Sequence, residues 1–324
     1  MKRRQQMTPV KFKIWLKAVE YLTDEQKQKL NTYLQNQSPE QQIITGLEQR
    51  LIDKPECPHC HSSVINRHGK KGGMQRYRCK NCLKTFTATT HTPLARLRFK
   101  GKWIAYLEGM LESKVLRKAA SDYQVSLRTA FRWRHRFIEL PAQMKASWLE
   151  GIVEADETFF AYSEKGNKNL KRKPHKRGKS SGKRGRSKED WVPVLTVRDR
   201  GKHTFDSIIK STSIKSFGEQ ITGKIEKDSV FCSDGYKSYI QIAQDNDLVH
   251  KRLNLSAGVR VIDKVFHIQN VNAYHSRLKS WINRFHGVAT KYLDHYLGWF
   301  RLMDTYEKLN KNKMFMIQQH LTAT

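Results

Sequence analysis

The 324 residues predict an α/β domain in the second half of the chain, preceded by a small cysteine-built ribbon and a group of short helices. Three observations carry that expectation. Past residue 150, β-rich runs alternate with helical runs; four cysteines fall in two tight pairs between positions 57 and 82; and 61 Lys+Arg stand against 30 Asp+Glu, a formal charge of +31. A surplus this large exceeds what solubility needs and fits a protein that lies against phosphate. Nucleic acid is the expected partner, which the motifs taken up next narrow to double-stranded DNA. No stretch approaches the ~18 to 20 continuous apolar residues of a membrane span, and the basic amino terminus lacks the apolar core of a signal peptide. The expectation is therefore a soluble, cytoplasmic protein associated with the nucleoid.

Taken in order, residues 1–50 read as a helical segment with two short amphipathic helices, near 10–21 and 24–35, separated by a Thr23-Asp24 cap. Residues 51–92 form the ribbon. Cys57-Pro58-His59-Cys60 and Cys79-Lys80-Asn81-Cys82 are separated by eighteen residues, a spacing at which two knuckles set four thiolates around one structural Zn²⁺. Gly69, Gly72 and Gly73 supply the turn, and residues 75–79 and 84–87 alternate like hairpin strands. Four thiolates saturate the metal, so His59, His61 and His68 read as surface residues and the lone Cys232 as a small core residue.

Residues 100–140 read as three helices, the last two joined by a short turn at Gln124-Val125-Ser126. That is a helix-turn-helix pattern: Ala119-Ala120 allows close approach, Ser126 can cap the third helix, and Arg128, Thr129, Arg132 and Arg136 recur on its outer side as a groove-reading helix requires. A plain three-helix packing unit gives a similar pattern. Residues 141–148 then read as a linker.

The third domain spans 150–310. Three strands (152–160, 191–199 and 203–209) precede alternating helix and strand: helix 214–225, strand 229–234, helix 236–245, strand 248–253 and helix 270–285. A three-strand meander followed by helix, strand, helix, strand, helix is the order of an RNase H-like fold. In that order the first and fourth strands are neighbours, which brings together Asp156 and Asp234, each at the end of an apolar run. Two carboxylates so placed can hold two divalent cations roughly 4 Å apart, the arrangement that serves phosphoryl transfer. Aspartate also ends strands simply by bonding its own backbone. On the last helix Asn272, His275 or Ser276, and Lys279 share a face: asparagine can ligate Mg²⁺ as a neutral donor, and a lysine two turns on can meet a phosphate.

Between the first two strands lies a basic insertion, residues 165–188, in which twelve of twenty-four residues are Lys or Arg. It has too few apolar residues for a core. Lys171, Arg172, Lys173, Lys176, Arg177, Lys183, Arg184 and Arg186 are expected to contact DNA phosphates, the competing reading being a solvated loop.

With these motifs in place, Val153-Glu154-Ala155-Asp156-Glu157-Thr158, Ser233-Asp234-Gly235-Tyr236 and the run from His267 to Lys279 resemble the bacterial insertion-sequence transposases of the DDE superfamily that carry an amino-terminal zinc ribbon, the ISXO2-like type. The resemblance covers residues 50–305. It implies that Asp156 and Asp234 are the first two ligands for Mg²⁺ (or Mn²⁺), that Asn272 stands where a third acidic residue is usual, and that Lys279 is the basic residue one repeat on. Segment 292–300 then matches the family's closing helix. The implied activity is cleavage of phosphodiester bonds at element ends and joining of the 3′-hydroxyl to target DNA, by a homo-oligomer on DNA, with His267 against phosphate or leaving group. Two alternatives stay open: a catalytically inactive, transposase-derived DNA-binding regulator, and a zinc-ribbon transcription factor in which Asp156 and Asp234 lie far apart.

Overall fold

The computed structural model describes residues 9–35, 39–97, 100–170, 190–254 and 257–307. The chain divides near residue 104 into two compact units. The first contains helices α1 (Pro9–Glu20), α2 (Asp24–Gln35) and α3 (Pro39–Asp53) and strands β1 (Ile65–Lys71), β2 (Met74–Cys79) and β3 (Thr85–Thr87). A reciprocal pair closes the start of α2: Gln26 N donates to Thr23 Oγ1 (3.2 Å) and Thr23 N to Gln26 Oε1 (3.0 Å). Helix α3 corrects the expectation of two helices before residue 50. Its apolar residues Ile43 and Leu47 are buried, Leu51 packs on the ribbon core of Cys57, Tyr77, Cys79 and Phe86, and Glu48 Oε1 accepts from Gln75 N (2.9 Å). The boundary placed at residue 51 therefore cuts a helix that belongs to the ribbon.

In the second unit α4 (Trp103–Leu111), α5 (Leu116–Asp122) and α6 (Leu127–Gln143) follow one another. Ser126 Oγ accepts from Thr129 N (3.1 Å) and so starts α6, and Ala119 and Ala120 are buried. Gly109 is required here, since any Cβ would run into the Tyr123 ring. The segment expected to be a linker starts as helix instead: α6 continues through Pro141 to Gln143. A proline inside a helix removes one N–H and disturbs the preceding turn, which is why it reads as a break. At the end of this helix Arg301 of α10 (Leu293–Glu307) donates to the terminal carbonyls of Pro141 (2.8 Å) and Met144 (3.0 Å). Gly298 of α10 lies against the same stretch so closely that a Cβ would enter the backbone of Pro141 and Ala142.

The five-stranded sheet has the order β6-β5-β4-β7-β8, with β4 (Ile152–Ala161), β5 (Trp191–Asp199), β6 (Thr204–Ile208), β7 (Val230–Ser233) and β8 (Val249–Arg252). β4 runs antiparallel to β5 and parallel to β7, and β7 parallel to β8. This is the strand order and sense of the RNase H-like fold. Helices α7 (Ile214–Ile221) and α8 (Lys237–Asp245) contribute to the main core, where Val153, Ala155, Phe217, Phe231 and Tyr239 are buried; α9 (Gln269–Asn283) contributes Val271 to a second core with Cys232 and Leu253. Alternation along β4 thus sends Val153 and Ala155 toward α7 and α8. Glu154 and Asp156 face α9, where the site forms. Each of the aromatic residues Phe217 and Phe231, fully buried, stabilises this layer by roughly 2 to 3 kcal/mol.

Candidate active site

Parallel pairing sets the two aspartates. The register is Ile152 with Val230, Val153 with Phe231 and Glu154 with Cys232, where the ladder ends; Asp156 and Asp234 each follow two positions later. Both are half-buried, Asp156 midway along β4 and Asp234 directly after β7, and the even positions of β4 and β7 face α9. Gly235 adopts φ +79, a conformation only glycine takes without strain, and turns the chain into α8 while Asp234 Oδ1 accepts from Tyr236 N (2.9 Å). The turn-forming role of this aspartate and its position at the site coexist. Their charges meet at a third point as well: the Tyr239 hydroxyl is held well above its ordinary value, by burial first and then by Glu157, Asp156 and Asp234. It donates to Glu157 Oε2 (3.0 Å).

Helix α9 brings the other candidates. Its buried stripe is Val271, Tyr274, His275, Leu278, Trp281 and Ile282, while Asn272 and Lys279 are exposed. His275, one turn after Asn272, is buried with Nδ1 3.4 Å from Asp156 Oδ2, and its Nε2 has no hydrogen-bond partner. This contact places the Asn272 turn of α9 beside the Asp156 strand. Ser276, the other residue weighed between Asn272 and Lys279, is exposed. His267 does not stand open to substrate. It lies within 3.2 Å of Arg200 Nη1, accepts at Nδ1 from Gln269 N (3.2 Å) and is 3.4 Å from Glu154 Oε1.

Among the described residues no Lys or Arg pairs with Asp156 or Asp234, in a chain of net charge +31. Two half-buried carboxylates with no Lys or Arg partner among the described residues are a fitting donor set for divalent metal. The cysteines fit zinc on distance alone. The Sγ atoms of Cys57, Cys60, Cys79 and Cys82 all lie within 4.8 Å of one another, with Cys57 to Cys82 at 3.7 Å and Cys60 to Cys79 at 3.6 Å. A tetrahedron with metal–sulfur bonds of about 2.3 Å has edges of about 3.8 Å. The Cys79 thiol is pulled down to about 6, first by the Cys82 amide, toward the thiolate that binds metal. Cys232 is buried and pushed up to about 11 by that burial, an inert core thiol.

Of the residues expected to read DNA, Arg128 and Arg132 are exposed on α6 and Arg136 is half-buried. Thr129 is half-buried and its Oγ1 lies 2.9 Å from Ser126 Oγ, within the helix cap. Lys171, Arg172, Lys173, Lys176, Arg177, Lys183, Arg184 and Arg186 lie outside the described residues. At the root of that segment Lys165 Nζ donates to the carbonyls of His286 (2.9 Å) and Gly287 (2.8 Å), just past the end of α9. Sequence reasoning placed His275 on the helix face of Asn272 but assigned no role there to Glu154 or Lys165. Glu154 was visible only as a polar residue at a strand position that proves to be buried.

Among the described residues no helix is long and apolar enough to cross a membrane. Over 249 residues, 76% of this chain and 84% of its relative, the sequence is 26% identical to an uncharacterized protein in transposable element ISH50 of Halobacterium salinarum. Solved structures with some likeness include the simian T-cell lymphotropic virus intasome in complex with a PP2A regulatory subunit (9% identity, TM-score 0.28, 61% of this chain and 67% of that one) and a pre-cleavage Mos1 transpososome (12%, 0.23, 63% and 76%). Residues 148–303, which include Asp156, Asp234 and Asn272, match the ISXO2-like transposase domain. The domain match and the ISH50 relative together mark residues 148–303 as an ISXO2-like transposase domain.

Proposed function

We propose that this DNA transposase cuts phosphodiester bonds at the ends of its element and joins the freed 3′-hydroxyl to target DNA. The observation that supports the reading is the β4–β7 register, which ends at Glu154 and Cys232, two positions before Asp156 and Asp234, on the side of the sheet that α9 covers. Asp156, Asp234 and Asn272 would hold the divalent cations, Mg²⁺ or Mn²⁺. Bound there, such ions activate water and offset the charge that builds up on the phosphorus oxygens. The chain's own work is placement. β4 and the end of β7 fix the carboxylates, His275 sets the orientation of Asp156, and Lys279 on the exposed face of α9 meets the phosphate of the scissile strand. No covalent protein intermediate is needed.

Binding would be divided among the modules. Arg128, Arg132 and their neighbours on α6 would read the element's terminal sequence, the basic residues of 171–188 would hold phosphates, and the Cys₄ ribbon would hold one structural Zn²⁺. The transposase would work as a homo-oligomer that joins two DNA ends. The test is incubation of purified protein with terminal DNA and Mg²⁺. Asp156→Ala and Asp234→Ala should each abolish strand cleavage and leave the affinity for terminal DNA within about twofold, because each removes a metal ligand and no DNA anchor. Wild-type cleavage by either variant would overturn the site; specific binding without cleavage by the wild type would make the chain a regulator.

A further inference from the structure

Helix α9 carries Asn272 in its first turn, yet it has no side-chain cap of its own: the residue at its N-cap is Ile268. The first N–H groups of a helix need outside acceptors. Here they come from strand β4. Glu154 Oε2 accepts from Asn270 N (2.8 Å) and Val271 N (3.0 Å), and Oε1 from Asn270 Nδ2 (2.7 Å). The remaining amide, Gln269 N, is taken by His267 Nδ1 (3.2 Å). Glu154 is fully buried, and its charge is met by Arg200 Nη2 at 3.0 Å, which also donates to Val265 O (2.9 Å) in the segment leading into α9.

The geometry points to Glu154 as a positioning residue that presents Asn272 to the pair formed by Asp156 and Asp234. The inference rests on the reading of those three residues as the metal-binding set. Glu154 lies two residues before Asp156 on the same face of β4, and it grips the residue immediately before Asn272. The strand that carries the first ligand therefore holds the helix that carries the third, over a sequence separation of more than 110 residues. A neutral amide binds a divalent cation less strongly than a carboxylate does, so its contribution depends on being held in place beforehand. Glu154 touches neither substrate nor metal in this role; it acts through the helix.

The experiment is a double-mutant cycle on the full-length, zinc-loaded chain, read by Mn²⁺ binding in electron paramagnetic resonance. Glu154→Gln should weaken Mn²⁺ binding about tenfold, the usual scale for losing the partner that orients a ligand. In an Asn272→Ala background the same change should weaken it less than twofold, since the ligand through which it acts is gone. Equal weakening in both backgrounds, or none in either, overturns the positioning role. Should Glu154→Gln fail to fold, Asn270→Ala removes the 2.7 Å bond without stranding a buried charge. It should weaken Mn²⁺ binding two- to fivefold, again only with Asn272 present, and full affinity in this variant counts against the inference. Failure of the underlying site reading looks different: Mn²⁺ binding then survives Asp156→Ala and Asn272→Ala unchanged.

Discussion

At the end of β7 one side chain can satisfy two demands. Asp234 bonds the Tyr236 amide as any turn-forming aspartate would, and it follows a strand paired in parallel with the one that carries Asp156. The apolar run before each aspartate drew attention to the pair, although β4 runs on five residues past Asp156. Glu154 was not legible. A fully buried glutamate on a strand has no signature of its own, since its partners are two backbone amides and an arginine far away in sequence. Asn272 is the residue whose chemistry is most open to test. Asn272→Asp keeps the size and an oxygen donor while adding charge, whereas Asn272→Leu keeps size alone. In Mg²⁺-supported cleavage the Asp variant should retain activity within about tenfold of the wild type, and the Leu variant should lose 100-fold or more, a scale typical for an electrostatic contributor to the transition state. Equal rates for the two variants would remove Asn272 from the ligand set.

At the scale of elements, strands 191–199 and 152–161 were readable nearly to the residue because β-branched and aromatic runs ended at glycine or charge. Helix α3 and the last turn of α6 lie beyond the expected elements, and each contains a proline: Pro39 starts a helix and Pro141 lies inside one. What holds α6 past its proline is a seam with α10 that sequence periodicity cannot show. His135 sits in that seam, its ring 4.0 Å from that of Tyr292 and 6.0 Å from that of His295. Burial, and then the neighbouring His295 and Arg134, hold its pKa down to about 4. The fold therefore keeps this imidazole neutral, while the unfolded chain binds a proton near the ordinary value of about 6.5. The stabilising contribution is complete above that value and is lost as pH falls from about 6.5 toward 4. Because the ring is only partly buried, the loss between pH 7 and 5 should be about 1 to 2 kcal/mol. Urea denaturation at the two pH values measures it: His135→Gln should flatten the difference relative to wild type, and an unchanged difference would assign the acid sensitivity elsewhere.

For the whole molecule, charge is the dominant property, and it is the one feature the sequence states without any structure. The excess of 31 positive charges is spread over modules of different purpose: a ribbon, a capped helix with Arg128 and Arg132 outward, and the segment 171–188. Phosphate contacts position a protein on DNA, and base contacts specify the site. That division predicts what removal of residues 171–188 does. The deletion spares Lys165, whose ammonium bonds the carbonyls beyond α9, so the helix that bears Asn272 keeps its anchor. If the segment neutralises about five phosphates, log affinity of the intact protein should fall with log salt about 4 to 5 units more steeply than that of the deletion. The ratio of affinities for terminal and random DNA should stay within about twofold, because base reading is assigned to α6. Binding titrations at several salt concentrations separate the outcomes. An unchanged slope would make the segment a solvated loop, while a collapsed ratio would mean that it reads sequence and that the two tasks share one element.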